Sequence, residues 1–279
     1  MKSLSRMTFA ILITLCMFGA SENMAAQVAV RFDPATPTVA SGGAITARVL
    51  ANIPDPLIGY GLDLQFDTAA LSLDSVEVGP SWFSATSSDG SPLVGLAFPG
   101  PVSGPDTLLA TVHFHVNQGQ CKGTTTLSMN ANADDLTEGF ALVTGGFADF
   151  TPASATVSLV DVTPPVISNA AADQPVLWAP NHDMVNVTLN YGVTDNCDAA
   201  AAIACSVSVS SNEPANAPGS GNTSPDWNVI DAHHVQLRAE RSGSGTGRVY
   251  TNTITCTDTS GNSASQNVLV TVPHDQGNP

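Results

Sequence analysis

The clearest pattern along the chain falls at residues 58–78, I-G-Y-G-L-D-L-Q-F-D-T-A-A-L-S-L-D-S-V-E-V. Leu62, Leu64 and Phe66 alternate with Asp63, Gln65 and Asp67; further on, Leu71 and Leu73 alternate with Ser72 and Asp74, and Val76 with Glu77. A period of two places the apolar side chains on one face of a pleated strand and the polar ones on the other. Two strands in tandem are expected, joined by a turn at 67–70, and their apolar face needs a second sheet to cover it. The outer row Asp63, Gln65, Asp67 and Asp74 is a solvated face and also a candidate partner face.

Similar runs recur on either side. Val28, Val30 and Phe32 alternate, residues 44–50 form a second strand, and 93–98 a short one. At 108–116, Ala110, Val112, Phe114 and Val116 share one face, and Thr111, His113 and His115 the other. Residues 123–129 and 155–160 complete the set. Ile53-Pro54-Asp55-Pro56 predicts a rigid turn, and the proline- and glycine-rich stretch 99–105 a loop. About eight short strands separated by turn signals predict a β-sandwich over residues 27–160. The segment 161–166, D-V-T-P-P-V, reads as a stiff proline-rich hinge. Beyond it, strands are expected at 185–189, 205–209, 235–239, 249–256 and 267–272, with a turn at 258–262. These make a second sandwich over residues 167–273, followed by a flexible tail at 274–279. The fold class predicted is all-β.

Composition supports that class: 19 prolines and 23 glycines among 279 residues, with only 6% aromatics, suit strands and turns. Residues 1–26 stand apart. Lys2 and Arg6 precede an apolar run, residues 7–20, and small residues follow, which predicts a signal peptide cleaved after Ala26 or Ala20. Without it the chain has six basic against 23 acidic residues, so the formal charge moves from −16 to −17. Nucleic acid and anionic lipid both require a basic footprint, so this composition makes them poor partners. Dispersed acids leave divalent cations open.

Cys16 would leave with the signal peptide, so the exported chain holds Cys121, Cys197, Cys205 and Cys256. Export favours disulfides over zinc, and four cysteines allow three full pairings. By alternation Cys205 and Cys256 both point inward as possible cross-strand neighbours. Cys121, in the turn Q-G-Q-C-K, is expected to be an exposed free thiol.

No G-x-S-x-G, H-E-x-x-H or EF-hand spacing occurs, and no catalytic residue is assigned. His113 and His115 share a strand face, but two ligands do not make a metal site. Asp226-Trp227 and Asp231-Ala232-His233-His234 bring carboxylate and imidazole groups together as candidates for catalysis or zinc. Asp195, Asn196, Asp198 and Asp258 are expected together at one end of the second sandwich, where oxygen-rich loops suit calcium and ordinary turns alike. Tyr60, Trp82 and Phe83 are candidates for an aromatic platform that stacks on sugar rings, with burial of Trp82 as the alternative.

Two resemblances add to this reading. G-x-x-L-x-L-x-F-D-x-x-x-L-x-L-x-x-V-x-x-G at 59–79, L-L-A-T-V-x-F-x-V at 108–116 and G-T-T-T-L-S at 123–128 resemble the cohesin domain. That resemblance implies a jelly-roll sandwich akin to carbohydrate-binding modules, with a dockerin-bearing protein or a polysaccharide as partner. T-P-P-V-I at 163–167, T-D-N-C at 194–197 and T-C-T-D-T-S-G-N at 255–262 resemble bacterial immunoglobulin-like and hyalin-repeat-like domains. These are extracellular spacer and adhesion modules, and the segments L-W-A-P-N-H at 177–182 and R-A-E-R-S-G at 238–243 match a subset of them. The second resemblance implies that Asp226-Trp227 and Asp231-Ala232-His233-His234 are structural positions instead. It also implies a Cys197–Cys256 disulfide, with Cys205–Cys256 as the rival.

The function expected is that of a secreted or surface-associated bacterial scaffold without catalysis, linked to polysaccharide degradation or adhesion. An adhesin contacting glycan directly is the alternative, and a glycoside hydrolase with a site between the domains is third. No cofactor is expected apart from calcium.

Overall fold

The computed structural model describes residues 27–84, 93–131, 139–215, 220–221 and 223–275. The signal-peptide expectation and residues 276–279 lie outside them. Strands are nearly all of the regular structure among the described residues, with one 3-10 turn at Ala200–Ala202. The chain opens with β1 (Val28–Asp33), β2 (Thr38–Ala40), β3 (Ala44–Phe66), β4 (Leu71–Val78), β5 (Trp82–Ser84) and β6 (Leu93–Ala97). β7 (Val102–Val116), β8 (Gly123–Asn130), β9 (Gly139–Leu142), β10 (Phe147–Ala148), β11 (Phe150–Thr151) and β12 (Ala153–Val160) follow.

β3 is the spine of this first unit. Its first half pairs with β1 and β7, and its second half with β6, β9 and β8. The turn expected at Ile53-Pro54-Asp55-Pro56 is absent: the strand runs straight through it for 23 residues. Register shifts against β7 between Ala51 and Ile53 and between Ile53 and Leu57 absorb the prolines. Bulges of this kind let one strand turn a corner and serve two sheets, and Pro54 and Pro56 sit exposed while Ile53 and Leu57 are buried. The loop expected at 99–105 is likewise shorter, because β7 already begins at Val102 and pairs it with Leu57.

The opening alternation lands as expected, with Leu62, Leu64 and Leu71 buried. The two tandem strands do not pair with each other: β4 pairs with β7. Phe66 reaches Phe114 of β7 with ring centroids 4.9 Å apart. One core holds Ile45, Val49, Leu57, Leu62, Leu109, Phe114, Leu127 and Phe140, among others.

The second unit contains β13 (Val166–Ala172), β14 (Met184–Thr194), β15 (Ala204–Ser211), β16 (Trp227–Val229), β17 (His234–Arg238), β18 (Gly247–Thr257) and β19 (Ser263–Pro273). They form a four-stranded sheet, β13-β14-β17-β16, and a three-stranded one, β15-β18-β19. Four plus three is the strand count of an immunoglobulin constant-type sandwich. Its separate core includes Leu177, Val187, Leu189, Val235, Leu237, Tyr250, Ile254 and Val270.

The disulfides differ from the expectation. Cys121 bonds Cys197, and Cys205 bonds Cys256. The Cys197–Cys256 pairing implied by resemblance is therefore corrected, and Cys121 is not a free thiol. Cys205 and Cys256 are directly opposed on β15 and β18, with Cα atoms 4.1 Å apart. That position leaves Cys197, on the loop after β14, to reach the turn after β7.

Candidate functional site

The second half of β3 lies between β6 on one edge and β9 and β8 on the other. Register places Phe83 opposite Leu96, Leu96 opposite Gly59, Gly59 opposite Ala141, and Ala141 opposite Phe147. Directly opposed residues share a face of the sheet, so these five make one row across five strands. The adjacent row (Tyr60, Gly95, Phe140, Ala148) is buried in the core. The first row therefore faces outward, and Phe83, Leu96 and Phe147 are 67%, 51% and 47% exposed.

Glycines form the floor between them. A Cβ on Gly59 would lie 3.3 Å from a Leu96 methyl, and one on Gly139 3.2 Å from the Phe147 ring. The large side chains thus lean over the spaces the glycines leave. Further along β3 the same face turns polar: Asp63 opposes Asn130 and Gln65 opposes Ser128, and the Asn130 amide donates to Gln65 Oε1 at 3.0 Å.

This arrangement sorts the expected partner-face residues. Asp63 and Gln65 lie on the row's face. Asp67 does not: its carboxylate caps the turn, accepting from the Ala69 amide at 2.9 Å. Asp74 is on β4 and pairs with His115 Nδ1 at 2.6 Å. His113 meets Thr46 instead, at 3.0 Å, so the two histidines have separate partners.

The aromatic platform is corrected. Tyr60 is 3% exposed and Trp82 6%; their rings meet edge to face with centroids 4.9 Å apart. Each polar tip is satisfied inside, with Tyr60 Oη donating to the Leu109 carbonyl at 2.7 Å and Trp82 Nε1 to that of Leu108 at 2.9 Å. Burial pushes the Tyr60 phenol well above its ordinary value. Alternation explains the split, since Trp82 and Phe83 are neighbours and must face opposite ways. Phe83 alone of the three is at the surface. Leu96 and Phe147 escape notice in the sequence because each belongs to a strand of five residues or fewer.

A second cluster lies where the two units meet. The Cys121–Cys197 bond joins the turn after β7 to the loop after β14. Beside it, Lys122 Nζ donates to both oxygens of Asp198 at 2.8 and 2.9 Å and also to Thr259 Oγ1. The Asn262 side-chain amide donates to the Asp161 carbonyl at 3.2 Å. The expected group Asp195, Asp198 and Asp258 is assembled here, and Asp161 of the connector joins it. The Asn196 side-chain amide lies 2.9 Å from Cys197 Sγ.

Local turn chemistry places these carboxylates. Asp195 Oδ1 accepts from the amides of Cys197 and Asp198 at 2.8 and 2.9 Å. Lys122 and the Thr259 amide hold the Asp198 carboxyl below its ordinary value. Burial works to raise that of Asp258, but donors on Asn262, Ser260 and Gly261 outweigh it and hold it low.

A third feature is a buried ion network inside the second unit. Arg248 is fully buried. Its guanidinium pairs with Asp226, lies 3.5 Å from Glu213 and 3.7 Å from Glu240, and sits 5.7 Å from the Tyr250 ring centroid. Glu240 also takes His182 Nδ1 at 3.1 Å and the Thr223 hydroxyl. Burial raises the Asp226 carboxyl, and Arg248 opposes that shift. Asp231 caps its own turn instead, accepting from the amides of His233 and His234 at 2.7 and 2.8 Å. Asp226-Trp227 and R-A-E-R-S-G thus contribute to an internal ion network.

No family model matches the chain, and no curated protein does. Solved structures similar to it are cohesin modules that cover about half of it. The seventh ScaB type I cohesin from Pseudobacteroides cellulosolvens is 18% identical, with 50% of this chain and 95% of that one covered and a TM-score of 0.39. The non-cellulosomal cohesin from Archaeoglobus fulgidus is 19% identical, with 49% and 93% covered and a TM-score of 0.38. A cohesin–dockerin complex from Clostridium thermocellum is 13% identical, with 50% and 99% covered and a TM-score of 0.38.

Proposed function

We propose that this chain is a non-catalytic extracellular binding protein whose first sandwich receives a protein partner on the outer face of β5-β6-β3-β9-β10. The observation that carries the reading is the row Phe83–Leu96–Gly59–Ala141–Phe147. Exposed apolar side chains held in register on a sheet, with a polar margin at Asp63 and Gln65, suit a protein interface. Large side chains over glycines leave shallow relief, which accepts apolar residues from a partner helix or strand. A net charge of −16 favours a partner with basic flanks. The sugar-platform reading loses Tyr60 and Trp82 to the core.

The cohesin resemblance makes a dockerin-bearing protein the first partner to try. Calorimetry with a purified dockerin module is the test. Phe83→Ala and Leu96→Ala should each weaken binding by about 2 kcal/mol, roughly thirtyfold, with melting temperature unchanged. Binding insensitive to both changes but abolished by Asp74→Ala would place the interface on the opposite sheet and overturn this assignment.

A further inference from the structure

The carboxylates at the seam of the two units carry a second inference, independent of the docking face. Asp161, Asp195, Asp198 and Asp258 each offer an oxygen, and these oxygens all lie within 4.8 Å of one another. Calcium binds oxygen ligands at about 2.4 Å, so two of its ligands stand up to about 4.8 Å apart, and no pair here exceeds that separation. The four residues come from three separate places in the chain: the connector after β12, the loop after β14 and the turn after β18.

Grouped acids alone say little, since Asp is a common turn residue. Asp161 supplies the independent observation. It is 7% exposed. Its Oδ1 accepts from the Thr163 amide at 3.1 Å, but Oδ2 is buried with no hydrogen-bond partner. Asp195 repeats the pattern: Oδ1 is used by two amides, and Oδ2 is buried and unpartnered. A buried carboxylate oxygen without a donor is strongly disfavoured unless a cation or proton meets it.

Lys122 is not that cation for the whole group. Its ammonium bonds Asp198 and Thr259, and among the described residues no salt bridge reaches Asp161, Asp195 or Asp258. Cys197, which also lies near, is held in a disulfide and offers no thiolate. The remaining donors are hard oxygens alone, which select calcium-type ions over zinc or copper.

We propose that Asp161, Asp195, Asp198 and Asp258 bind a calcium-type divalent cation at the seam between the two sandwiches. The ion ties the connector to the end loops of the second sandwich. Asp198 bridges it to Lys122, and bidentate contacts or water complete the coordination.

Titration of the chelator-stripped full chain with calcium, followed by calorimetry and thermal melting, tests this. One ion should bind with a dissociation constant on the order of 10⁻⁴ M, as in extracellular modules, and melting temperature should rise on saturation. Asp161→Asn keeps the Oδ1 acceptor and removes the orphaned charge. It should weaken calcium about tenfold or more while melting, without metal, at or above the wild-type temperature. Asp195→Asn should behave alike and serves if Asp161→Asn fails to fold. Magnesium should bind about tenfold more weakly, since it demands a tighter octahedron. Absence of heat and of any melting shift in the wild type would overturn the proposal. So would unchanged calcium affinity in both variants, or equal affinity for magnesium.

Discussion

Arg248 concentrates most of the buried charge that the second sandwich has to reconcile. Asp226, Glu240 and Glu213 converge on one guanidinium, and burial raises the Asp226 carboxyl while Arg248 opposes the shift. Removing one partner of a buried ion network leaves the other charges uncompensated, typically a loss of 3–5 kcal/mol. Arg248→Met should therefore lower the urea midpoint by an amount corresponding to about 3 kcal/mol or more. A loss under about 1 kcal/mol would mean that the acids are protonated or solvated instead. None of this follows from periodicity. Charged residues are read as surface by default, and only the chain's return through Asp226, Glu240 and Arg248 encloses them. The same limit applies to Asp161, which reads as the start of a hinge until the fold lays it against the turn after β18. Cys205 and Cys256 were readable as neighbours from alternation alone, whereas Cys121 and Cys197 lie on loops, where no period constrains direction.

At the level of elements, alternation located β1, β3, β4, β7, β8, β12 and most of the second unit's strands, because a half-buried strand must alternate. Alternation does not settle the positions where prolines interrupt it. Prolines at 54 and 56 suggested a break, yet bulges accommodate them and β3 passes between sheets. The short strands β9, β10 and β11 have too few residues to show a period, so Phe147 at the far end of the exposed row is not legible in the sequence, while Phe83 and Asp63 are. Gly95 shows how closely these elements depend on each other. It sits opposite Tyr60, and a Cβ there would lie 2.4 Å from the tyrosine ring. Gly95→Ala should displace that ring from Trp82 and Phe140 and destabilise the first sandwich by about 1–3 kcal/mol, as overpacking does. Chemical denaturation would measure it. Near-UV circular dichroism of the same variant should change, since the Tyr60–Trp82 contact would be disturbed.

On the scale of the whole molecule, the bond between Cys121 and Cys197 changes what the chain can do under load. It spans 76 residues and crosses from one unit to the other. The entropy of closing such a loop contributes about 4 kcal/mol on the chain model, so Cys121→Ser with Cys197→Ser should lower stability by that order. The larger consequence is mechanical. A protein held at one end and pulled by a partner at the other transmits tension along its backbone. Here tension leaves the main path at Cys121 and re-enters at Cys197, so everything between, including β8, β12, β13 and β14, is shielded. Single-molecule stretching of the oxidised chain should lack roughly 260 Å of contour length that reduction restores, at about 3.4 Å per residue. Phe83 and Leu96 lie outside that protected loop, whereas Ala141 and Phe147 of the same row lie inside it. Under enough force, β5 and β6 would be pulled away from β9 and β10, dividing the row while the seam stayed closed.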